Sequence, residues 1–336
     1  MKTNRSSFQF MLVAGACGAA LAVLQCSAGA SASTVYDGFN YSALSNGADI
    51  VGTTTTGTGL TGKFTGVSDN ANSTYTYQST GLTFANLQTS GGAVSVSTSY
   101  WGVLSEQLST VPGAGSYLYG GYLVDPTSVN GNTSGVIPSN THTDIFTEIG
   151  SSGSYASGEV ASYSKYYGNG TDHITGAVGS GSLGNAGVDS GTALTIGTTY
   201  LVLFGVSNVN GTSGGSKITQ WILNSAQFAQ DEGNLTASYL NGLATGTGAG
   251  QIQQIGSYST TSSIAINSTD DHLSVGLFRG FTSSAATFDE IRLSYGSGSS
   301  LAAVAPTVVP VPATASLMGV GALGLLLLRR RNRATV

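Results

Sequence analysis

Thr287-Phe288-Asp289-Glu290-Ile291-Arg292-Leu293-Ser294-Tyr295 alternates apolar and polar side chains with a period of two, the pattern of a strand with one face in a core. Ile291, Leu293 and Tyr295 fall on one face, and Glu290 and Arg292 on the other. There the two charges read as an exposed pair worth at most about 1 kcal/mol. Further out, Thr74-Tyr75-Thr76-Tyr77-Gln78, Ala93-Val94-Ser95-Val96-Ser97 and Ile264-Ala265-Ile266-Asn267 alternate in the same way. Tyr200 to Val206 is apolar almost throughout, which predicts a central strand covered on both faces. Ser45-Asn46-Gly47, Asn130-Gly131-Asn132 and Asn210-Gly211-Thr212 supply turns that need positive φ. Ser225 to Asp231 is the stretch with room for one or two helical turns. These runs predict an all-β chain folded as a two-sheet antiparallel sandwich.

The composition agrees. Of 336 residues 49 are glycine, 40% are hydrophobic and 8% are charged, too apolar for a disordered acidic chain and too rich in glycine for a helical bundle. Charge is unevenly placed. Lys2, Arg5, Arg329, Arg330, Arg331 and Arg333 sit at the two ends; the middle holds five bases against all sixteen carboxylates, a net charge of −11. Such a body repels phosphate backbones, which excludes nucleic acid as a partner. Cys17 and Cys26 both lie in the first 32 residues, so the rest can form neither a disulfide nor a thiolate metal site.

Both ends read as addresses. Residues 1–32 combine basic Lys2 and Arg5, an apolar run from Met11 to Leu24, and Ala30-Ser31-Ala32 as the small residues before a signal-peptide cleavage point. At the other end Val309-Pro310-Val311-Pro312 precedes an uncharged stretch from Ala313 to Leu328 and then Arg329-Arg330-Arg331. As a helix that stretch rises roughly 24 Å against a hydrocarbon core of about 30 Å, a gap that snorkelling arginines can close. Leu323, Leu325, Leu326, Leu327 and Leu328 leave it no wet face, so a membrane helix is expected, with the arginines on the cytoplasmic side. The expected layout is a signal peptide over 1–32, a sandwich over 33–301, a proline-bearing linker over 302–312, and a membrane helix with a basic tail over 313–336.

The dipeptide repeat, apolar helix and arginine cluster resemble the PEP-CTERM sorting signal, although Val311 stands where the commonest form has glutamate. That resemblance implies an exosortase-type sorting protease as partner, contact with the membrane through the C-terminal helix, and a location at the cell surface or in the extracellular matrix. Phe288-Asp289-Glu290-Ile291-Arg292 has three companions in the order Tyr36-Asp37-Gly38-Phe39-Asn40-Tyr41, then Gly81-Leu82-Thr83-Phe84 with Gly91-Gly92, then Tyr200-Leu201-Val202 ahead of Trp221-Ile222-Leu223-Asn224. Together they resemble the concanavalin A-like, laminin-G-like jelly rolls of exported PEP-CTERM proteins, departing at Ser225, where that family often has proline.

Chemistry is harder to find. Asp144, Phe146 and Glu148 share a strand face, but Phe146 occupies the middle of what would be an acidic triplet. Asp231-Glu232, Asp270-Asp271 and Asp289-Glu290 suit calcium by ligand type and lack the spacing of a cation loop. His142, His173 and His272 form no ligand motif, and Gly179-Ser180-Gly181-Ser182 is a broken nucleophile elbow. Tyr163, Tyr166 and Tyr167 flank Lys165 beside Gly168-Asn169-Gly170 as an exposed loop, and Trp101 and Trp221 are candidates to stack on sugar rings. The resulting expectation is a surface or matrix protein with a structural or adhesive role and contact with polysaccharide, no catalytic residue, no enzymatic activity and no cofactor beyond calcium. The rival is a secreted glycoside hydrolase using Asp144 and Glu148.

Overall fold

The computed structural model describes residues 32–68, 72–136, 144–150, 158–166, 172–178, 188–259, 263–266, 271–278 and 283–308. Ala30, Val309, Pro310, Val311, Pro312, Arg329, Arg330 and Arg331 lie outside them, and Ala32 is the first residue described. In chain order the strands are β1 (Ser33–Asp37), β2 (Leu60–Ser68), β3 (Thr74–Gln78), β4 (Ala93–Thr98), β5 (Trp101–Leu108), β6 (Ser116–Ser128), β7 (Gly135–Val136), β8 (Asp144–Gly150), β9 (Gly158–Tyr166), β10 (Asp172–Val178), β11 (Val188–Gly191), β12 (Thr195–Ile196), β13 (Tyr200–Val209), β14 (Lys217–Leu223), β15 (Gln254–Ser259), β16 (His272–Phe278) and β17 (Ser284–Tyr295). Three short helices accompany them: α1 (Ser225–Asp231), α2 (Ala237–Asn241) and α3 (Leu301–Val304).

A nine-stranded sheet runs β11-β15-β14-β13-β6-β17-β4-β3, with β1 also paired to β17. A six-stranded sheet runs β10-β9-β8-β16-β5-β2, and β12 and β7 form a separate small ribbon. Neighbouring strands are antiparallel in both large sheets. The main core lies between the sheets, where Phe64, Leu104, Ile145 and Val275 of the smaller meet Tyr122, Phe204, Phe288 and Leu293 of the larger. A second core covers the opposite face of the larger sheet: Leu201, Leu203, Trp221 and Leu223 pack beneath Phe228 of α1, Leu240 of α2, and Leu301 and Val304 of α3.

β13 therefore has apolar neighbours on both sides, Val202 and Phe204 inward and Leu201 and Leu203 outward, which is why its sequence is apolar almost throughout. α1 begins at a capping box: Asn224 Oδ1 accepts from the Gln227 amide at 3.0 Å, and Gln227 Oε1 accepts from the Asn224 amide at 2.9 Å. Trp221 is 1% exposed and donates its indole N–H to Asn241 Oδ1 at 2.9 Å, so it is a core residue and not a sugar platform. The first part of the expected linker also belongs to the packed body. α3 buries Leu301 and Val304, and Val308 donates its amide to the Asn86 carbonyl at 2.8 Å. Ile264 and Ile266 are buried but lie outside the strands; Ile264 instead accepts from the Asn210 amide at 2.6 Å. Among the described residues no helix is long and apolar enough to cross a membrane.

The alternation read in β17 breaks at its centre. Ser284 to Phe288 pair with β4, Asp37 to Ser33 of β1 pair with Ile291 to Tyr295, and the register against β6 shifts between Asp289 and Arg292. Glu290 sits on this bulge at φ 54°. The bulge turns Asp289 and Glu290 toward loops that enter where β17 changes neighbours. Asp289 Oδ2 accepts from the Leu82 amide at 2.7 Å, and Glu290 accepts both the Ser90 amide and the Arg292 guanidinium. Arg292 also donates to the Gln88 carbonyl at 2.5 Å and lies 4.7 Å from the centroid of the Tyr36 ring. Glu290 is 1% exposed and Arg292 6%, so the pair read as a surface pair is buried.

Asp37, at the end of β1, accepts from the Phe39 amide at 2.6 Å and the Tyr41 hydroxyl at 2.5 Å. Across the sandwich, Glu106 of β5 accepts from Thr55 Oγ1 at 2.8 Å. The glycines of the middle motif are explained by crowding here: a Cβ on Gly81 would stand 2.7 Å from Asp289 Oδ2, and one on Gly91, at φ 80°, only 2.1 Å from the Gly38 carbonyl. Burial raises the pKa of all four carboxyl groups. Asp289 is pushed to about 9 by burial and then by the Glu290 charge, and Glu106 well up by burial and then by Asp37. Asp37 and Glu290 rise chiefly through burial, which Arg292 partly opposes at Glu290.

A group whose folded-state pKa lies above its unfolded value of about 3.9 holds a proton that the unfolded chain releases, so its stabilisation is complete below about pH 4 and fades as pH rises. Thermal midpoints are expected to fall steadily between about pH 5 and about pH 9, with Asp289→Asn flattening the upper part of that slope; a midpoint that rises over this range contradicts the arrangement. Core density gives a second expectation. A Cβ on Gly120 of β6 would reach within 2.0 Å of the Phe204 ring, so Gly120→Ala should cost about 1–3 kcal/mol in urea unfolding, with an unchanged slope.

Candidate functional site

The larger sheet is covered on both sides, and the outward side of the six-stranded sheet is itself closely packed at its centre, where Val103, Ser105, Phe146, Glu148 and Ser274 are buried. Side chains at directly paired positions share a face, so the register assigns its members. Leu104, Leu273, Val275, Ile145 and Ile149 point into the core, which leaves their neighbours pointing outward. One row aligns Ser105, Ser274 and Glu148; the next aligns Val103, Gly276, Phe146 and Tyr163. On one side of these rows Gln107 pairs with His272, and on the other Trp101, Phe278, Asp144, Lys165 and His173 fall in line. Among the residues whose side chains are described, Trp101, Gln107, Phe146, Glu148 and His272 thus share this face.

The centre of the face is tightly built. Ser105 Oγ and Ser274 Oγ are 2.8 Å apart, and Glu148 is 2% exposed on the strand beside Ser274. Phe146 is wholly buried and lies over the backbone of β16, where a Cβ on Gly276 would stand 2.8 Å from its ring. At the His272 end the side chains of His272 and Asp271 each keep 17% exposure. Asp271 Oδ1 is 2.8 Å from His272 Nδ1, at an angle too poor for a directed hydrogen bond, and the contact becomes an ion pair when the imidazole takes a proton. Asp271 is itself held: Gln107 Nε2 donates to its Oδ2 at 2.9 Å, and its carbonyl accepts from the Leu108 amide at 2.6 Å.

His272 faces Gly150, so Glu148 is its diagonal neighbour across the β8–β16 pair, a separation of about 7–8 Å in sheet geometry. That backbone spacing sets a carboxyl group, which can give a proton, and an imidazole, which can take one, on neighbouring strands. The pair named from sequence fares differently. Asp144 and Glu148 lie four residues apart on β8, about 13 Å along the strand, too far for an acid and its partner across a glycosidic bond.

Tyr163 and Lys165 lie on β9 and not in a loop, while Tyr167, His142, Asp270 and residues 179–182 fall outside the described residues. The acidic doublets have protein partners. Asp231 accepts from the Tyr239 hydroxyl at 2.8 Å, Glu232 from Asn86 Nδ2 at 3.1 Å, and Asp289 and Glu290 brace the loops. Among the described residues no three of His, Cys, Asp and Glu gather as a metal site. The His272–Asp271 pair was missed in sequence because its strand was missed; the alternation His272-Leu273-Ser274-Val275-Gly276-Leu277 was the available signal.

No family model matches the chain, and no curated protein matches it. Among solved structures it is similar to the marine PL-14 alginate lyase from Aplysia kurodai, at a TM-score of 0.29 and 6% identity over 68% of this chain and 86% of that one. It is also similar to a mutant of alginate lyase Aly36B in complex with alginate trisaccharide, at a TM-score of 0.27 and 12% identity over 78% of this chain and 97% of that one. Both neighbours are named as enzymes, which runs against the expectation of a chain without enzymatic activity. At these scores they say nothing of substrate or of which residues act.

Proposed function

We propose that this chain is an exported bacterial carbohydrate-active protein that cleaves polysaccharide at the outward face of its six-stranded sheet. The observation that carries the reading is the pairing, on one sheet face, of buried Glu148 with His272 at about 7–8 Å, the imidazole backed by Asp271 and Gln107. His272 takes a proton from a water attacking the anomeric carbon, while Glu148 gives its proton to the glycosidic oxygen. The bond to the leaving sugar breaks as the bond to water forms. Asp271, 2.8 Å from Nδ1, positions the ring. Trp101, on the same face by register, extends it along the chain of a bound polysaccharide.

The fold is read as a concanavalin A-like, laminin-G-like jelly roll. Its route is the one its ends resemble: signal-peptide cleavage after Ala32, temporary anchorage by the C-terminal helix, and processing by an exosortase-type protease at Val309 to Pro312, with Arg329 to Arg331 on the cytoplasmic side. The mature protein then resides at the cell surface or in the extracellular matrix, with polysaccharide and not nucleic acid as its partner. Calcium remains the cation its carboxylates suit by type. Intact-mass measurement of the surface form should show loss of both ends; a chain that keeps Arg329 to Val336 excludes the sorting step.

A polysaccharide panel read by reducing-sugar release should show turnover that Glu148→Gln and His272→Gln each lower by about 10²–10⁴-fold. Asp271→Asn should lower it by about tenfold, because the carboxylate beside Nδ1 that positions the ring is lost. Undiminished turnover in both Glu148→Gln and His272→Gln would remove this site from consideration. An unsaturated product, seen by ultraviolet absorbance, would replace water attack by elimination.

A further inference from the structure

A second concavity lies on the other sheet. Where β13 begins at Tyr200 and β14 gives way to Asn224, a groove of about 670 Å³ opens between the loop before β13, the start of α1 and the ribbon strand β7. Its volume is that of a small-molecule site. Among the described residues no charged side chain lines it, in a body whose net charge is −11. Six threonines do: Thr83, Thr192, Thr195, Thr198, Thr199 and Thr247. Their hydroxyls make no hydrogen bond to other described groups, whereas the amides beneath them are fully engaged.

Gln253, 2% exposed, donates to the Thr192 and Ala193 carbonyls at 3.0 and 3.2 Å; Asn224 Nδ2 donates to the Thr247 carbonyl at 3.0 Å. The Tyr200 hydroxyl, on a residue 3% exposed, accepts from the Thr195 amide at 2.9 Å, which leaves its own proton to donate. Apolar surface is interspersed, with Val136 60% exposed and Ala193 and Ala226 on the wall.

This is a rigid frame presenting unengaged hydroxyls and small apolar patches without charge. An ionic ligand would lose hydration there with no counter-charge to replace it, and a purely apolar one would strip water from the hydroxyls with no bond in return. We propose that the groove is a binding site for an uncharged oligosaccharide, separate from the face that carries Glu148 and His272. Sugar hydroxyls exchange hydrogen bonds with the threonines and Tyr200, while the C–H faces of the rings rest on Val136 and the alanines. The site does not rest on the acid–base reading, since it shares no residue with that face.

Calorimetric titration of the full-length secreted protein carrying Glu148→Gln, which keeps the probe intact, tests it with cellohexaose, laminarihexaose, xylohexaose, mannohexaose and hexagalacturonate. At least one neutral hexasaccharide should bind and hexagalacturonate should not. Adding Thr198→Val with Thr199→Val should weaken that binding at least tenfold, and Ala226→Trp, on an exposed helix position, should abolish it by filling the groove. Adding His272→Gln should leave it unchanged. The proposal is overturned if no neutral probe binds, if the uronate binds as tightly, if binding survives both groove variants, or if His272→Gln removes it, which would place the sugar on the other sheet. Should Ala226→Trp fail to fold, the threonine pair alone decides.

Discussion

A buried ion pair on a bulged strand organises this molecule. Where β17 leaves β4 and takes up β1, neither neighbour supplies a continuous ladder, and the Glu290–Arg292 pair closes the gap by binding the loop amide of Ser90 and the carbonyl of Gln88. Removing one member of such a pair leaves an uncompensated buried charge, a loss of about 3–5 kcal/mol in comparable settings. The left-handed backbone at Glu290 survives because its surroundings over-determine it. Through this one site the start of the sandwich, the loop between β3 and β4, and its last strand hold one another in place.

The layering follows from that frame. Helices cover one face of the larger sheet and the smaller sheet covers the other, so the larger sheet is a wall buried on both sides. What is left for chemistry is the far face of the smaller sheet and the ends of the larger one. Charged and aromatic residue types collect on the first, and uncharged hydroxyls on the second. Buried Glu148 and His272, which lies beside Asp271, stand on adjacent strands of that face.

Much of the scaffold was legible in the sequence. Strands β3, β4 and β13 and helix α1 fall where alternation, a continuous apolar run and a short polar segment placed them, because each depends on neighbours within a few residues. The same local logic misread Glu290, Arg292 and Trp221. A bulge reverses which side a residue faces, and nothing within the strand records that another loop will lie over it. Glu148 stands diagonally from His272, 124 positions away in sequence and near it only through the β8–β16 register.

The three short motifs around Asp37, Gly81 and Asp289 show the division most clearly. Their order along the chain was visible, but not that one carboxylate of β17 accepts the amide beside Gly81 or that Gly91 lies against Gly38. By itself the sequence determined an antiparallel β body, its acidic and cysteine-free character, and hydrophobic segments at its two ends, all properties that period, charge and composition carry locally. Which carboxylates are buried, which face is free and which acid stands beside which base were decided by strand pairing across the sandwich, because side chains meet through a register that no local stretch contains.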